Sequence, residues 1–261
     1  MSPEADLALL TQAVRAGGAA AMAFFGREPR AWDKPDAAGP VTEADLAVDA
    51  LLKRMLRQAR PDYGWLSEET PDDPDRLGRP RIFVVDPIDG TRAFMAGERG
   101  WCVAAATVDR GAVTAAAAWF PARDELYAAS LGGGASLNGA ALRPSVRDRL
   151  DGATVLAGAP QLEARHWPGG APPVRRLFRS SLVHRFCLVA AGRADATLTF
   201  RPAWEWDVAA GALIAAEAGC VVTDGDGGTL RFNAPGGRAP GLLAAPPVLH
   251  AALLSRRSIA R

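Results

Sequence analysis

A chain of 261 residues with 30 Lys plus Arg against 29 Asp plus Glu carries a formal charge of +1, so no global field selects a nucleic acid or an anionic membrane as partner. That length buries one large core, or two coupled halves of ordinary domain size, without outside staples. The three cysteines (Cys102, Cys187, Cys220) lie far apart in apolar context without a CxxC, and the three histidines (His166, His184, His250) are scattered, which disfavours zinc and His-based metal sites and suits buried thiols in a reducing compartment.

The N-terminal "MSPEADLALL" puts Glu4 and Asp6 where a signal peptide carries positive charge, and no apolar run reaches membrane-spanning length, so a cytoplasmic protein with no membrane partner is expected. Leu7, Leu10 and Val14 at helical spacing predict an opening helix over 4–25, closed by Gly26. "REPRAWDKPDAAGP" has the composition of a mobile loop. Thr42 and Asp45 then form a capping-box pair that starts a second helix. "YGWL" reads as a short strand ending in Glu68 and Glu69, and "RIFVV" as a strand running into Asp86. "WCVAAATVDRGAVTAAAAWF" predicts two strands joined by the turn "DRG", and "ARDE" a further turn. The glycine-rich "LGGGASLNGAALRPS" lacks the lysine–serine pair and the strand-to-helix setting of a P-loop. Beyond it the pattern alternates: helix at "LVHRFCLVAAG" with His184 along it, strand at "ADATLTF", helix at "DVAAGALIAAEAG" ended by Gly219. The order implies an α+β half over 1–150 and an α/β half over 151–261, in layers of helix and sheet.

Glu68, Glu69, Asp86, Asp89 and Asp207 each stand at the end of an apolar run. A carboxylate placed there is fixed by packed backbone behind it, while its head opens into a crevice. Several together repel unless cations neutralise them, and hard oxygen-ligated Mg2+ is the natural partner. Each has a plainer reading on its own: Asp-Pro-x-Asp-Gly as a turn, Glu68–Glu69 as a solvated loop end, Asp207 as an N-cap worth about 1 kcal/mol. In "DPIDGT", Pro87 fixes φ and removes a donor, so the strand is expected to stop there and let Asp86 and Asp89 converge. The Ile88 carbonyl between them is a further hard ligand. Gly90 and Thr91 are expected to open a short helix whose free amides face an anion. Carboxylates for metal beside amides for phosphate fit phosphate-ester hydrolysis. Haloacid-dehalogenase phosphatases set their two aspartates two apart, near the chain start; here they are three apart, with a proline between, well inside the chain.

With these residues assembled, the chain resembles the inositol monophosphatase family, the Mg2+-dependent, lithium-sensitive phosphomonoesterases. The likeness rests on "VTEAD" at 41–45, "WLSEET" at 65–70, "VVDPIDGTRAF" at 84–94 and "WEWDVAAGALIAAEAG" at 204–219. The resemblance implies a layered αβαβα sandwich and a small-molecule phosphate monoester as substrate, with no nucleic acid polymer. It implies that Glu68, Asp86 and the Ile88 carbonyl hold one Mg2+, that Asp86, Asp89 and Asp207 hold a second, and that Glu68 borders a weaker third site. Asp45 would hydrogen-bond Thr91, Thr91 would orient the attacking water, and the Gly90 and Thr91 amides would receive the phosphate. Glu69 is left outside the metal shell. Li+ would inhibit, the segment around Lys34 would fold over the site, and a homodimer is one expectation, since family members are often dimers. Thr199, Phe200 and Arg201 stand where inositol enzymes carry a substrate-gripping acid. "LSEE", "DGTRAF" and "EWD" look like the bacterial 3'-phosphoadenosine 5'-phosphate phosphatases. A 3'(2'),5'-bisphosphate nucleotide is therefore expected ahead of an inositol monophosphate, with Arg185, Arg201 and Lys34 as specificity candidates. Sugar bisphosphate, histidinol phosphate and a non-catalytic metal- and phosphate-binding module stay open.

Overall fold

The computed structural model describes residues 1–34 and 39–257. Helix α1 (Pro3–Met22) starts after Ser2, whose hydroxyl accepts from the Ala5 amide. Strands β1 (Ala31–Asp33) and β2 (Pro40–Thr42) pair antiparallel, Trp32 opposite Val41, so the segment expected as plain loop carries a two-stranded hairpin. Its 35–38 stretch lies outside the described residues. Thr42 caps α2 (Glu43–Ala59): its hydroxyl accepts from the Ala44 and Asp45 amides, and the Asp45 carboxylate accepts from the Thr42 amide at 2.8 Å, the reciprocal box predicted from the sequence.

Seven strands follow in a sheet whose spatial order is the chain order: β3 (Gly64–Ser67), β4 (Arg81–Asp89), β5 (Cys102–Asp109), β6 (Ala112–Phe120), β7 (Glu125–Ser130), β8 (Gly134–Leu137) and β9 (Ala140–Ala141). Only β3 and β4 run parallel; the rest are antiparallel neighbours. The "DRG" turn holds Arg110 (φ 48°) and Gly111 (φ 83°) left-handed, the backbone that a tight hairpin between right-twisted strands demands. Helix α3 (Thr91–Met95) sits between β4 and β5. A second, five-stranded sheet has the order β11 (Arg175–Leu177), β10 (Thr154–Leu156), β12 (Ala196–Thr199), β16 (Leu242–Ala245), β14 (Val221–Thr223), with β13 (Ala203–Trp204) and β15 (Arg238–Ala239) as a separate ribbon. Helices α4 (Leu182–Ala190), α5 (Glu205–Glu217) and α6 (Pro247–Arg257) complete the fold.

The layers follow from a period of two. Phe83, Val85, Val103, Ala105, Ala115 and Ala117 pack toward α1 and α2, while Ile82, Val84, Ala104, Ala106, Ala116 and Ala118 pack toward α4 and α5. Both faces of the sheet are covered, which is why these strands read as unbroken apolar runs. Helix α5 is buried from Val208 to Ala215, as a helix between two sheets must be. A Cβ on Gly211 would stand 2.5 Å from Phe186 Cδ2, so only glycine lets α5 meet α4 this closely. Leu249 and Leu253 of α6 close the far face against Val155, Leu198 and Leu243. The result is α1/α2, sheet, α4/α5, sheet, α6: the expected αβαβα sandwich. The three cysteines are free and buried. No described helix is long and apolar enough to cross a membrane.

Two local expectations are corrected. Strand β4 does not stop at Pro87 but runs on to Asp89, because its pairing with β5 shifts there: Asp86 opposes Ala104 and Asp89 opposes Cys102, three steps against two. The proline's missing N–H falls inside that bulge, where the ladder needs no donor from it. Helix α5 begins at Glu205 after Trp204, so Asp207 lies in its first turn and is not its cap.

Candidate active site

The parallel pair β3–β4 ends with Glu68 beside the bulge that carries Asp86 and Asp89, and the first turn of α5 brings Asp207 to the same point. Carboxylate oxygens of Asp86, Asp89 and Asp207 lie within 4.8 Å of one another. A cavity of about 160 Å³ opens above them, lined among others by Glu68, Gly90 and Thr91. Gly90 has φ 101°, a left-handed conformation that turns the chain from β4 into α3. Behind α3, Phe94 meets Trp101 edge-on at 4.8 Å, with Phe25 against both. This cluster fixes the short helix that presents Thr91.

Each acid is held differently. Asp89 accepts from the Ser181 hydroxyl (2.6 Å) and the Val183 and Leu182 amides (2.7 and 3.3 Å), so the start of α4 grips it. Asp45 accepts from the Thr42 hydroxyl through Oδ2 at 2.5 Å, and its Oδ1 lies 3.4 Å from Thr91 Oγ1. The Thr91 hydroxyl also reaches the Ile88 carbonyl at 3.2 Å. Asp49, one turn after Asp45, accepts from Ser67 (2.5 Å) and Thr70 (2.6 Å) and so ties the end of β3 to α2. Lys34 Nζ donates to Glu68 (2.7 Å) and Glu69 (2.6 Å). Asp86 has none of this: both carboxylate oxygens are buried without a hydrogen-bond partner.

The electrostatics follow from that geometry. Burial, then the charges of Glu68, Asp89 and Asp207, push the Asp86 carboxyl well above the ordinary carboxylate range. Burial and the Asp89 charge do the same to Asp207. Asp89 is raised to about 6 by burial, against the lowering effect of its Ser181 and Val183 donors. Burial likewise lifts Asp45 to about 6 and Glu69 to about 7, opposed by Thr42 and Lys34 respectively. A buried carboxylate with two orphaned oxygens among other acids is costly as it stands. A hard divalent cation would remove that cost, and the clustered donors of Asp86, Asp89 and Asp207 are all oxygen, a set that fits Mg2+.

Each of these carboxyls has a folded pKa above its unfolded one, so the folded state binds more protons and stability falls as pH rises. The loss spans the window from 3.8 to about 6 for Asp45 and Asp89, and from 4.5 to about 7 for Glu69. Scanning calorimetry in EDTA should give a higher Tm near about pH 5 than near about pH 7.5, and added Mg2+ should raise Tm more at the higher pH. His184, held neutral with its pKa lowered to about 4, works in the opposite direction below 6.5, so a metal-free Tm that rises across this window would contradict the assignment.

Glu68, Asp86, Asp89, Gly90, Thr91 and Asp207 thus line one cavity, Asp45 and the Ile88 carbonyl join it through the Thr91 hydroxyl, and Lys34 reaches its edge through Glu68. Of the other specificity candidates, Arg185 is buried in α4 one turn beyond the residues that grip Asp89, its Nε donating to the Arg179 carbonyl at 2.6 Å and its charge felt by Asp89, Asp207 and Arg201, while Arg201 itself is exposed after β12. Asp49 and Ser181 serve the site without standing among the sequence-predicted residues. Ser181 carried a signal, as a serine directly before an apolar helix, and so did Asp49, an acid four residues after Asp45 on the buried side of α2.

A sequence profile described as the inositol monophosphatase family matches residues 3–260. The inositol-1-monophosphatase of Rhizobium meliloti is 35% identical over 246 residues, covering 87% of this chain and 88% of the relative. The Nus factor SuhB of Pseudomonas aeruginosa is 36% identical over 205 residues, 74% of each chain. Among solved structures, the extragenic suppressor protein suhB of Bartonella henselae superposes with TM-score 0.82 at 28% identity, over 98% of this chain and all of the other. An IMPase from Thermotoga maritima gives 0.80 at 25%, over 94% and 93%. With the acid cavity at the junction of the same layers, the chain belongs to the inositol monophosphatase family and is a phosphatase of that family.

Proposed function

We propose that the chain hydrolyses a small phosphorylated polyol, an inositol monophosphate first among them, with Mg2+ held by Glu68, Asp86, the Ile88 carbonyl, Asp89 and Asp207. The observation that carries this reading is the unpartnered Asp86 carboxylate at the centre of the acid cluster. When bound, Mg2+ supplies the positive charge that phosphoryl transfer to water requires. The protein does the positioning. Thr91 Oγ1 donates toward Asp45 Oδ1 and the Ile88 carbonyl, which leaves its lone pairs to accept from a water and aim it at phosphorus. Asp45, raised to about 6, accepts the proton that this hydroxyl relays. The Gly90 and Thr91 amides, at the unbonded start of α3, receive phosphate oxygens.

The relatives named inositol-1-monophosphatase support the polyol substrate. A bisphosphate nucleotide is the second reading, favoured by the stretch 199–201. It carries no acid to grip a polyol: Thr199 is buried, and Phe200 packs edge-on against Trp167 with Arg257 over its ring. Phosphate release with Mg2+, with and without Li+, should be measured on inositol 1-phosphate, 3'-phosphoadenosine 5'-phosphate, fructose 1,6-bisphosphate and histidinol phosphate. The largest kcat/KM is expected for inositol 1-phosphate, with inhibition by Li+. Faster turnover of the nucleotide would install the second reading. Turnover of none, with metal binding intact, would leave a metal- and phosphate-binding module.

A further inference from the structure

A second cavity of about 500 Å³ lies against the acid cavity and shares Arg92 and Ser180 with it as wall. Its charge is the opposite. Arg92 of α3, Arg99 before β5, Arg123 in the turn before β7 and Arg179 before α4 converge on it, with Glu98 as the one acid in the lining. Arg99 Nε donates to the Ala122 carbonyl at 2.6 Å and Arg179 Nη1 to the Phe178 carbonyl at 2.7 Å. These bonds orient the guanidinium groups without neutralising them. Only Arg123 has a carboxylate, Glu125 at 3.0 Å; among the described residues no ion pair engages Arg92, Arg99 or Arg179. Four arginines from four separate segments around one hollow are more than a solvated rim requires.

His184 of α4 stands in the wall of this cavity. It is 3% exposed, yet neither ring nitrogen has a hydrogen-bond partner. Its ring packs on Phe120 at 4.9 Å, and Nδ1 lies 3.6 Å from the point a Cβ on Gly100 would occupy, so the imidazole edge stands directly behind Gly100 in the wall that both residues line. Burial and the charges of Arg123 and Arg179 lower its pKa to about 4, so the ring is neutral and offers one N–H and one lone pair. A histidine serving only the core would have at least one nitrogen satisfied, because an orphaned buried polar group is costly.

We propose that this cavity is a binding site for a phosphate dianion, with the arginine guanidinium groups and the His184 N–H as donors. Arginine forks match phosphate oxygens in pairs, and a buried neutral N–H adds direction. Two sources carry that chemistry: free inorganic phosphate, or a second phosphoryl group on the substrate held in the acid cavity. The second source rests on the phosphatase reading above; the site itself does not.

The first test is inorganic phosphate binding to the full chain in EDTA, where the uncompensated acids of the neighbouring cavity repel an anion. Isothermal titration should show saturable binding, and the imidazole 15N resonances of His184 should shift with it. Arg99→Gln and Arg179→Gln change exposed side chains, leave the acid cavity intact and should each weaken binding roughly tenfold or more. Absence of saturable binding, or wild-type affinity in both variants, or a His184 ring untouched by phosphate, overturns the proposal. The second test uses Mg2+ and compares a monophosphate with a bisphosphate substrate. If a second phosphoryl group is the source, both variants raise KM for the bisphosphate alone. If free phosphate is the source, both KM values stay and inhibition by product phosphate weakens. Should no substrate turn over, the phosphatase reading fails while titration in EDTA still decides the site.

Discussion

Asp86→Asn is expected to lower kcat/KM for the preferred phosphate monoester by on the order of 10³ or more, with the fold intact. That figure corresponds to about 4 kcal/mol of lost transition-state stabilisation, the several kcal/mol that charge stabilisation by a held cation contributes. Asp86 is singled out because its two oxygens have no other employment, whereas Asp89 also holds the start of α4 through Ser181 and Val183. Asparagine keeps the shape and removes the charge. The metal-free variant should therefore melt at or above the wild-type temperature, since a buried like-charge repulsion has gone. The increment that Mg2+ adds to Tm should shrink, because that increment measures cation bound to the folded state and absent from the unfolded one. Steady-state phosphate release paired with calorimetric Mg2+ titration reads both. Near-native release with Mg2+ would remove Asp86 from the metal site.

What the sequence revealed and what it hid differ in range. The Thr42–Asp45 box, the "DRG" turn and the short helix after Gly90 are written within a few residues, and the structure has all three. The acid cluster was legible for another reason: a carboxylate placed directly after a buried strand has few structural uses. The devices that position those acids were hidden. Ser181 grips Asp89 across 92 residues and Lys34 reaches Glu69 across 35, and no local pattern encodes such pairings. Pro87 misled because it does end a regular ladder, but a bulge lets the strand resume. The β1–β2 hairpin was masked by composition: proline, glycine and charge describe the connection, while the pairing of Trp32 with Val41 uses only one apolar residue from each strand. The arginine cavity needed the fold itself, since Arg92, Arg99, Arg123 and Arg179 converge from segments that share no motif.

Thr91→Val and Asp45→Asn carry the second large expectation, and its content is their coupling. Valine preserves the shape of threonine but cannot orient a water, and asparagine at 45 cannot take up a proton. Each is expected to lower kcat by about 10²-fold, the lower end of what a positioned proton acceptor contributes. If Thr91 Oγ1 hands its proton to Asp45 Oδ1, removing either breaks the same relay, and the double variant should be little worse than the more damaging single one. Losses that multiply would show that the two side chains act independently. The pH profile adds a readout that a purely structural role would not move. Asp45 must be ionised to accept, so wild-type kcat/KM should fall on the acid side with an apparent pKa at or below about 6, lower than 6 to the extent that cations in the acid cavity favour the ionised form. That limb should vanish in Asp45→Asn and equally in Thr91→Val, because Asp45 takes its proton only through the Thr91 hydroxyl. Asp45 also closes the cap of α2, so thermal melts of each variant are needed beside the kinetics. Asparagine still offers the Thr42 amide an acceptor, so a loss of rate with little change in Tm would place the effect in the relay, whereas parallel losses of rate and Tm would place it in the cap.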